Sequence, residues 1–209
     1  MKKATYFITG ISTEVGKTVV AAIITEALEA DYWKPVQAGE LNRTDTHKVK
    51  DLISNTRTKF HKSAFELNAA MSPHAAADKD GVSINLRKIN RPETNNHLVI
   101  EGAGGVLVPL NNSETIADLI HAEDKVIVVS RHYLGSINHT LLTVELLKQR
   151  KLNIFGIIFS GNEHPSTESV ITEMTGIPVL GRIDEEPYFD KTVVMEYAEK
   201  WRDETFRER

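Results

Sequence analysis

Lys17 and Thr18 end the stretch Gly10-Ile11-Ser12-Thr13-Glu14-Val15-Gly16-Lys17-Thr18, and its residue types suit the holding of phosphate. Glycines let a loop curl so that several backbone N–H groups point inward, and a helix starting there adds its positive dipole end. Lys17 offers a full positive charge to β- and γ-phosphates, and the Thr18 hydroxyl can ligate Mg²⁺. The candidate nucleotide-contacting run is Thr13, Glu14, Val15, Gly16, Lys17, Thr18 and Val19. Five residues separate Gly10 from Gly16 where the usual pattern has four. A plain β-to-α turn with an incidental Gly-Lys-Thr is the competing reading. An apolar run before the loop and Val19-Val20-Ala21-Ala22-Ile23-Ile24 after it favour the phosphate loop.

Three more side chains are candidates for the same chemistry. Glu101 is expected to end an apolar strand, His97-Leu98-Val99-Ile100-Glu101, just before Gly102-Ala103-Gly104-Gly105. A carboxylate there can serve Mg²⁺, which favours oxygen ligands, and the glycines let backbone approach a ligand closely. Asp45 is either a second metal-site acid or a helix N-cap, and spacing alone favours the cap. Lys34 could neutralise a transferring phosphoryl group, although a lysine beside proline at a strand–loop junction is more often solvated. The histidines show no paired ligand spacing, and Ser136 has no base beside it in sequence.

The elements that must position these groups follow from periodicity. A helix is expected from Thr18 to about Glu29, and a short strand at Tyr32–Val36, ended by Pro35 and opening into a loop at Gln37-Ala38-Gly39. The next helix should start near Thr44-Asp45. Residues 54 to 97 are polar and weakly periodic, with short helices expected near Ser72-Pro73-His74 and Leu86-Arg87-Lys88. A brief helix at Thr115–His121, a strand at Lys125–Val129 and a helix at Gly135–Gln149 come next. Strands at Asn153–Phe159 and Pro178–Leu180 flank a helix near Thr167–Met174, and a charged helix from Asp190 to Glu208 closes the chain. Alternating strands and helices imply one P-loop NTPase-like α/β domain, residues 1–209, with a mainly parallel sheet covered on both faces. Ligands of such sheets sit beyond the carboxyl ends of the strands, so the loops after Thr9, Lys34, Glu101 and Val129 should converge.

Composition excludes several classes. With no cysteine there is no disulfide, no thiolate catalysis and no cysteine-ligated zinc. A net charge of −4 argues against broad nucleic-acid binding, which needs a cationic face. No apolar run approaches membrane-spanning length, and Met1-Lys2-Lys3-Ala4 leads into the first strand without an apolar leader, so a cytoplasmic location is expected.

Five motifs in register resemble those of dethiobiotin synthetases over roughly residues 4 to 181. They are the loop with its Thr-Glu-Val-Gly-Lys-Thr core, Tyr32-Trp33-Lys34-Pro35-Val36-Gln37-Ala38-Gly39 with Asp45, Ser72-Pro73-His74, Glu101-Gly102-Ala103-Gly104-Gly105, and Leu134-Gly135-Ser136-Ile137-Asn138-His139. The resemblance implies closure of the ureido ring of dethiobiotin from 7,8-diaminononanoate and CO₂ with ATP and Mg²⁺. It implies that Thr18, Asp45 and Glu101 serve the metal, and that Lys17 and Lys34 hold phosphoryl and carbamate oxygens. Thr13, Glu14, Ala38 and Gly104 would face the substrate. It also implies a homodimer in which Gly135, Ser136 and Asn138 reach the substrate carboxylate in the neighbouring subunit's site. Three departures stand out. Ala38 replaces a hydroxyl residue of some relatives, Ser160 and Gly161 precede the base-reading candidate Asn162, and the tail after Ile183 has no matching base-contacting segment. The alternatives are a dimeric switch ATPase of the partitioning or septum-site kind, or another carbamate- or amide-forming ligase. The first typically carries an extra lysine early in the loop, where this chain has Ile11, Ser12 and Thr13.

Overall fold

A computed structural model describes residues 3–206; the expectations for Met1, Lys2 and the end of the closing helix at residues 207 and 208 lie outside them. The chain opens with β1 (Thr5–Gly10), whose Phe7 and Ile8 are fully buried, and passes through the glycine-bracketed loop into α1 (Lys17–Leu28). Its 12 residues contain no Gly or Pro, and α1 stops where Glu29 adopts a left-handed conformation, φ 47°.

The expected second strand is two strands. β2 (Asp31–Trp33) belongs to the main sheet, whereas β3 (Val36–Ala38) pairs in parallel with β5 (Phe65–Leu67) in a separate ribbon. Pro35 lies between them, with no N–H to continue the ladder. Between β3 and β5 come α2 (Asp45–Leu52) and the two-residue β4 (Phe60–His61). Then follow α3 (Pro73–Lys79), a 3₁₀ turn at Leu86–Lys88, and β6 (Leu98–Gly105). β4 and β5 escape sequence reading because each is too short to show alternation. β6 also runs on through its glycines, so Glu101 lies inside a strand rather than at its end. After a 3₁₀ turn at Ile116–Leu119, the chain continues as β7 (Lys125–Arg131), α4 (Ser136–Gln149), β8 (Ile154–Ser160), α5 (Pro165–Thr175), β9 (Val179–Ile183) and α6 (Lys191–Trp201).

The main sheet has the order β4-β2-β6-β1-β7-β8-β9, with every pairing parallel. From β1 the chain crosses to β2 on one side, and from β7 it steps outward through β8 to β9 on the other. Right-handed crossovers therefore place α1 on one face and α4 and α5 on the opposite face. Helices on both sides explain why β1, β7 and β8 are continuously apolar. The reversal occurs beside β1, and a crevice opens there at the carboxyl ends of the strands.

The closing helix is shorter than expected. Asp190 caps α6, its carboxylate accepting from the backbone N–H of Thr192 at 2.9 Å and Val193 at 3.0 Å. After Trp201 the chain widens into a π turn, Arg202–Phe206. Arg202 Nε donates to the Ala27 carbonyl at 2.7 Å, supplying a partner to one of the free acceptors at the end of α1. Trp201 and Val194 are buried, Tyr197 and Val193 partly so.

Candidate active site

The phosphate loop has a backbone that only glycine can supply at two points. A Cβ on Gly10 would come within 2.6 Å of Val15 Cγ2, and Gly16 sits at φ 95°, in the left-handed region. Glu14 adopts φ 55° without being glycine, and its carbonyl accepts from Arg131 Nη1 at 3.4 Å. Val15 is buried beneath the loop. Lys17 curls back so that Nζ donates to the Ser12 carbonyl at 2.9 Å. Burial and the neighbouring charge of Lys34 pull its ammonium down to about 8, against the opposing pull of Glu101 and Asp45.

Thr18, next on α1, donates its hydroxyl to Glu101 Oε1 at 2.9 Å. The same oxygen accepts from Lys34 Nζ at 3.0 Å, and Oε2 accepts from the Tyr32 hydroxyl at 2.7 Å. Lys34 also reaches the Gly102 carbonyl at 3.2 Å and Asp45 Oδ2 at 2.7 Å, so all three N–H donors find acceptors. Burial works against its charge, but Glu101 and Asp45 outweigh it and hold the Lys34 pKa above its ordinary value. The solvated reading of Lys34 is thereby corrected: it is 4% exposed. Tyr32 is fully buried, and burial together with the Glu101 charge pushes its phenol well above 10.

Asp45 is not the cap of α2. That task falls to Thr44, whose Oγ1 accepts from the His47 backbone N–H at 3.3 Å while His47 Nδ1 accepts from the Thr44 N–H at 3.1 Å. Asp45 is the first helical residue, and its carboxylate turns to Lys34 and, at 3.4 Å, Lys48. Burial raises its pKa, but Lys34 and Lys48 prevail and keep it below the usual carboxylate range. Gln37, buried on β3, fixes this end of the helix: its Oε1 accepts from the Asp45 N–H at 3.1 Å and its Nε2 donates to the Gly39 carbonyl at 3.0 Å.

These groups face a cleft of about 1520 Å³. Thr13, Glu14, Gly16, Lys17, Thr18, Val19, Lys34, Ala38, Asp45, Glu101 and Gly104 all line it. The four loops expected to converge do so, with Arg131 contributed by the loop end of β7. Gly135, Ser136 and Asn138 do not line it, although His139 and Leu142 of the same helix do; Asn138 is exposed. Asn162 also stands outside the lining and donates to Glu185 Oε2 at 3.2 Å. Ser160 and Gly161, which precede it, border the cleft instead. Sequence reading missed Tyr32, Gln37, Arg131 and Glu185. The first two lie within three residues of Lys34, the signal that could have drawn attention to them.

The donor set suits a hard cation: Thr18 Oγ1 and the Glu101 and Asp45 carboxylates are all oxygen ligands. Among the described residues no group of three or more His, Asp or Glu could hold a metal unaided. Mg²⁺ needs no such cage, since one or two carboxylates with substrate phosphates are its usual ligands.

A looped strand-to-helix phosphate cradle at the reversal point of a parallel sheet defines a P-loop α/β nucleotide-binding fold. The AAA domain family model matches residues 4–193. A putative plasmid partition protein from Borrelia burgdorferi, solved with AMPPNP, superposes with a TM-score of 0.60 over 100% of both chains at 12% identity. The Pyrococcus furiosus cell division ATPase MinD gives 0.58 over 96% of this chain and 98% of that one, also at 12% identity. At that identity they share the fold alone. Far nearer in sequence is the ATP-dependent dethiobiotin synthetase BioD of Christiangramia forsetii, 64% identical over 94% of this chain and 95% of its own. That of Cytophaga hutchinsonii is 52% identical over 96% and 97%. The chain belongs to the dethiobiotin synthetase family, a family of ATP-dependent ligases.

Proposed function

We propose that the chain closes the ureido ring of dethiobiotin from 7,8-diaminononanoate, CO₂ and ATP, releasing ADP and phosphate. One amine adds to CO₂ and loses a proton to give a carbamate. A carbamate oxygen attacks the γ-phosphorus, displacing ADP and forming a carbamic-phosphoric anhydride. The second amine attacks the carbamoyl carbon, loses a proton and expels phosphate as the ring closes. Phosphoryl transfer of this kind asks the protein mainly for positioning and charge. The observation that carries the reading is Lys34, buried beside the phosphate loop between Glu101 and Asp45.

Lys17 and the loop N–H groups hold the β- and γ-phosphates, and Lys34 neutralises the oxygens of the carbamate and the moving phosphoryl group. Thr18, Asp45 and Glu101 hold Mg²⁺, which supplies charge neutralisation of the phosphates when bound. Thr13, Glu14, Ala38 and Gly104 form the substrate side, and Asn162 lies near the base end of the nucleotide. Residues 1–209 act as one domain, in a cytoplasmic homodimer. Exposure of Leu134 at 103%, Leu142 at 61% and Ile137 at 36% around α4 supports an interface there. Gly135, Ser136 and Asn138, which do not line their own cleft, then serve the neighbour's substrate carboxylate through a helix N-terminus and an amide donor.

The test is ADP release measured with each substrate withheld in turn. Release that requires the diamine and bicarbonate together supports the reaction. Equal release without the diamine overturns it and favours a switch ATPase.

A further inference from the structure

We infer that Tyr32 is a positioning residue for Glu101: its hydroxyl holds Oε2 so that Oε1 stays turned toward Thr18. The inference rests on the proposed metal role of Thr18 and Glu101. In the parallel ladder Tyr32 is opposite Val99, and Glu101 lies two residues further along the same face of β6. The ring therefore stands under the carboxylate, and its 2.7 Å hydrogen bond is charge-assisted.

The orientation needs such a partner. The terminal torsion of a glutamate is broad and roughly twofold, so it has no strong preference of its own. Lys34 Nζ, 3.0 Å from Oε1, could donate to either oxygen or straddle both. Without the phenol, rotation toward Lys34 would carry Oε1 away from the Thr18 hydroxyl, now 2.9 Å distant. Tyr32 removes that freedom by occupying the other oxygen. A buried tyrosine hydroxyl needs some acceptor, and a strand carbonyl would satisfy it equally well. Here it is spent on the one carboxylate that also meets Thr18 and Lys34.

The full chain carrying Tyr32→Phe keeps the ring and loses only the hydroxyl. Mn²⁺ titrated into the ADP complex, followed by its electron paramagnetic resonance signal, reads the metal site without turnover. Loss of a group that orients a ligand weakens metal affinity by about 10–100-fold, and that loss is expected here. ADP affinity without metal should stay within about twofold of wild type, and in a Glu101→Gln background Tyr32→Phe should change Mn²⁺ affinity by less than about twofold. Undiminished Mn²⁺ affinity in Tyr32→Phe overturns the inference. So does an equal loss of metal-free ADP affinity, or failure of the variant to fold, since either makes the hydroxyl a structural group. If wild-type protein binds ADP but no Mn²⁺, the metal assignment itself falls, and the role of Tyr32 with it.

Discussion

Lys34→Met tests whether one buried cation holds the site together. The side chain is 4% exposed, Glu101 1% and Asp45 18%, with ion-pair distances of 3.0 and 2.7 Å. Methionine fills a similar volume but leaves two carboxylates close together without their shared counter-ion. Removing one partner of a buried pair costs about 3–5 kcal/mol. For a chain of this length each kcal/mol moves Tm by about 2–4 °C, so the variant should melt roughly 6–20 °C lower. Lys48, 3.4 Å from Asp45, remains to compensate that acid, which places the expectation in the lower half of the range. The sign with pH follows from both partners. Lys34, with its pKa raised, contributes stability that is complete below the unfolded lysine value of about 10.4 and is lost as pH rises through its folded value. Asp45, with its pKa lowered, contributes stability present above about 3.9 and lost as pH falls through its folded value. Wild type and variant should therefore differ by a constant amount across neutral pH and converge at both extremes. Differential scanning calorimetry over pH measures this directly, and adding Glu101→Gln to the variant should recover part of the loss. A Lys34→Met melting point within about a degree of wild type at pH 7 would refute the counter-ion argument.

Lys17→Ala should fold normally and lose on the order of 10²-fold or more in turnover, because Lys17 lines the cleft; near-wild-type turnover would end the phosphate-loop reading. Glu101→Gln and Asp45→Asn should each raise the Mg²⁺ needed for half-maximal ADP release, and an unchanged Mg²⁺ curve in both would remove the metal assignment. Glu168 is held down to about 2: burial opposes this, but Arg182, the His164 N–H and His132 prevail. Its contribution should be present above about 4.3 and fade as pH falls through 2, so Glu168→Gln should melt below wild type at pH 7 and converge with it near pH 2; parallel curves down to pH 2 would contradict this. Mixed Lys17→Ala and Asn138→Ala subunits should recover about a quarter of wild-type activity, since half the randomised dimers are mixed and one of their two sites is intact. No recovery despite demonstrated subunit exchange would exclude a shared site.

The phosphate loop was legible because its chemistry is local: Gly10, Gly16, Lys17 and Thr18 fall within one nine-residue stretch, and backbone geometry follows from those residue types. The alternating pattern likewise announced a parallel sheet, and the topology rule placed four distant loops at one crevice. Only the spacing-alone readings of Lys34 as solvated and Asp45 as a cap fail, for a reason local sequence cannot cure. Whether a lysine is solvated or buried depends on what the fold brings opposite it, and here Glu101 comes from β6, 67 positions on. The Asp45 cap was mistaken for a narrower reason. Thr44 and Asp45 are both good capping types, and the choice went to Thr44 once His47 completed a capping box. Very short β4 and β5 had no period to read, and they are strands only because β2 and β3 offer them edges.

The two lysines of the site show why its charge cannot be judged residue by residue. Both are buried, and burial alone should discharge both. Lys34 touches two carboxylates and is held above its ordinary pKa; Lys17 touches a neutral carbonyl, feels Lys34 as a like charge and falls to about 8. The pairing of Lys34 is thus complete within the protein, whereas the ammonium of Lys17 still lacks an anion of its own. On the proposed function a phosphate group in the loop would supply one, and linkage requires that whatever raises the pKa of Lys17 on binding must bind more tightly when Lys17 is charged. On the proposed function the loop lysine is therefore suited to a ligand that brings negative charge, while Lys34, just after β2, holds the Asp45 and Glu101 carboxylates together.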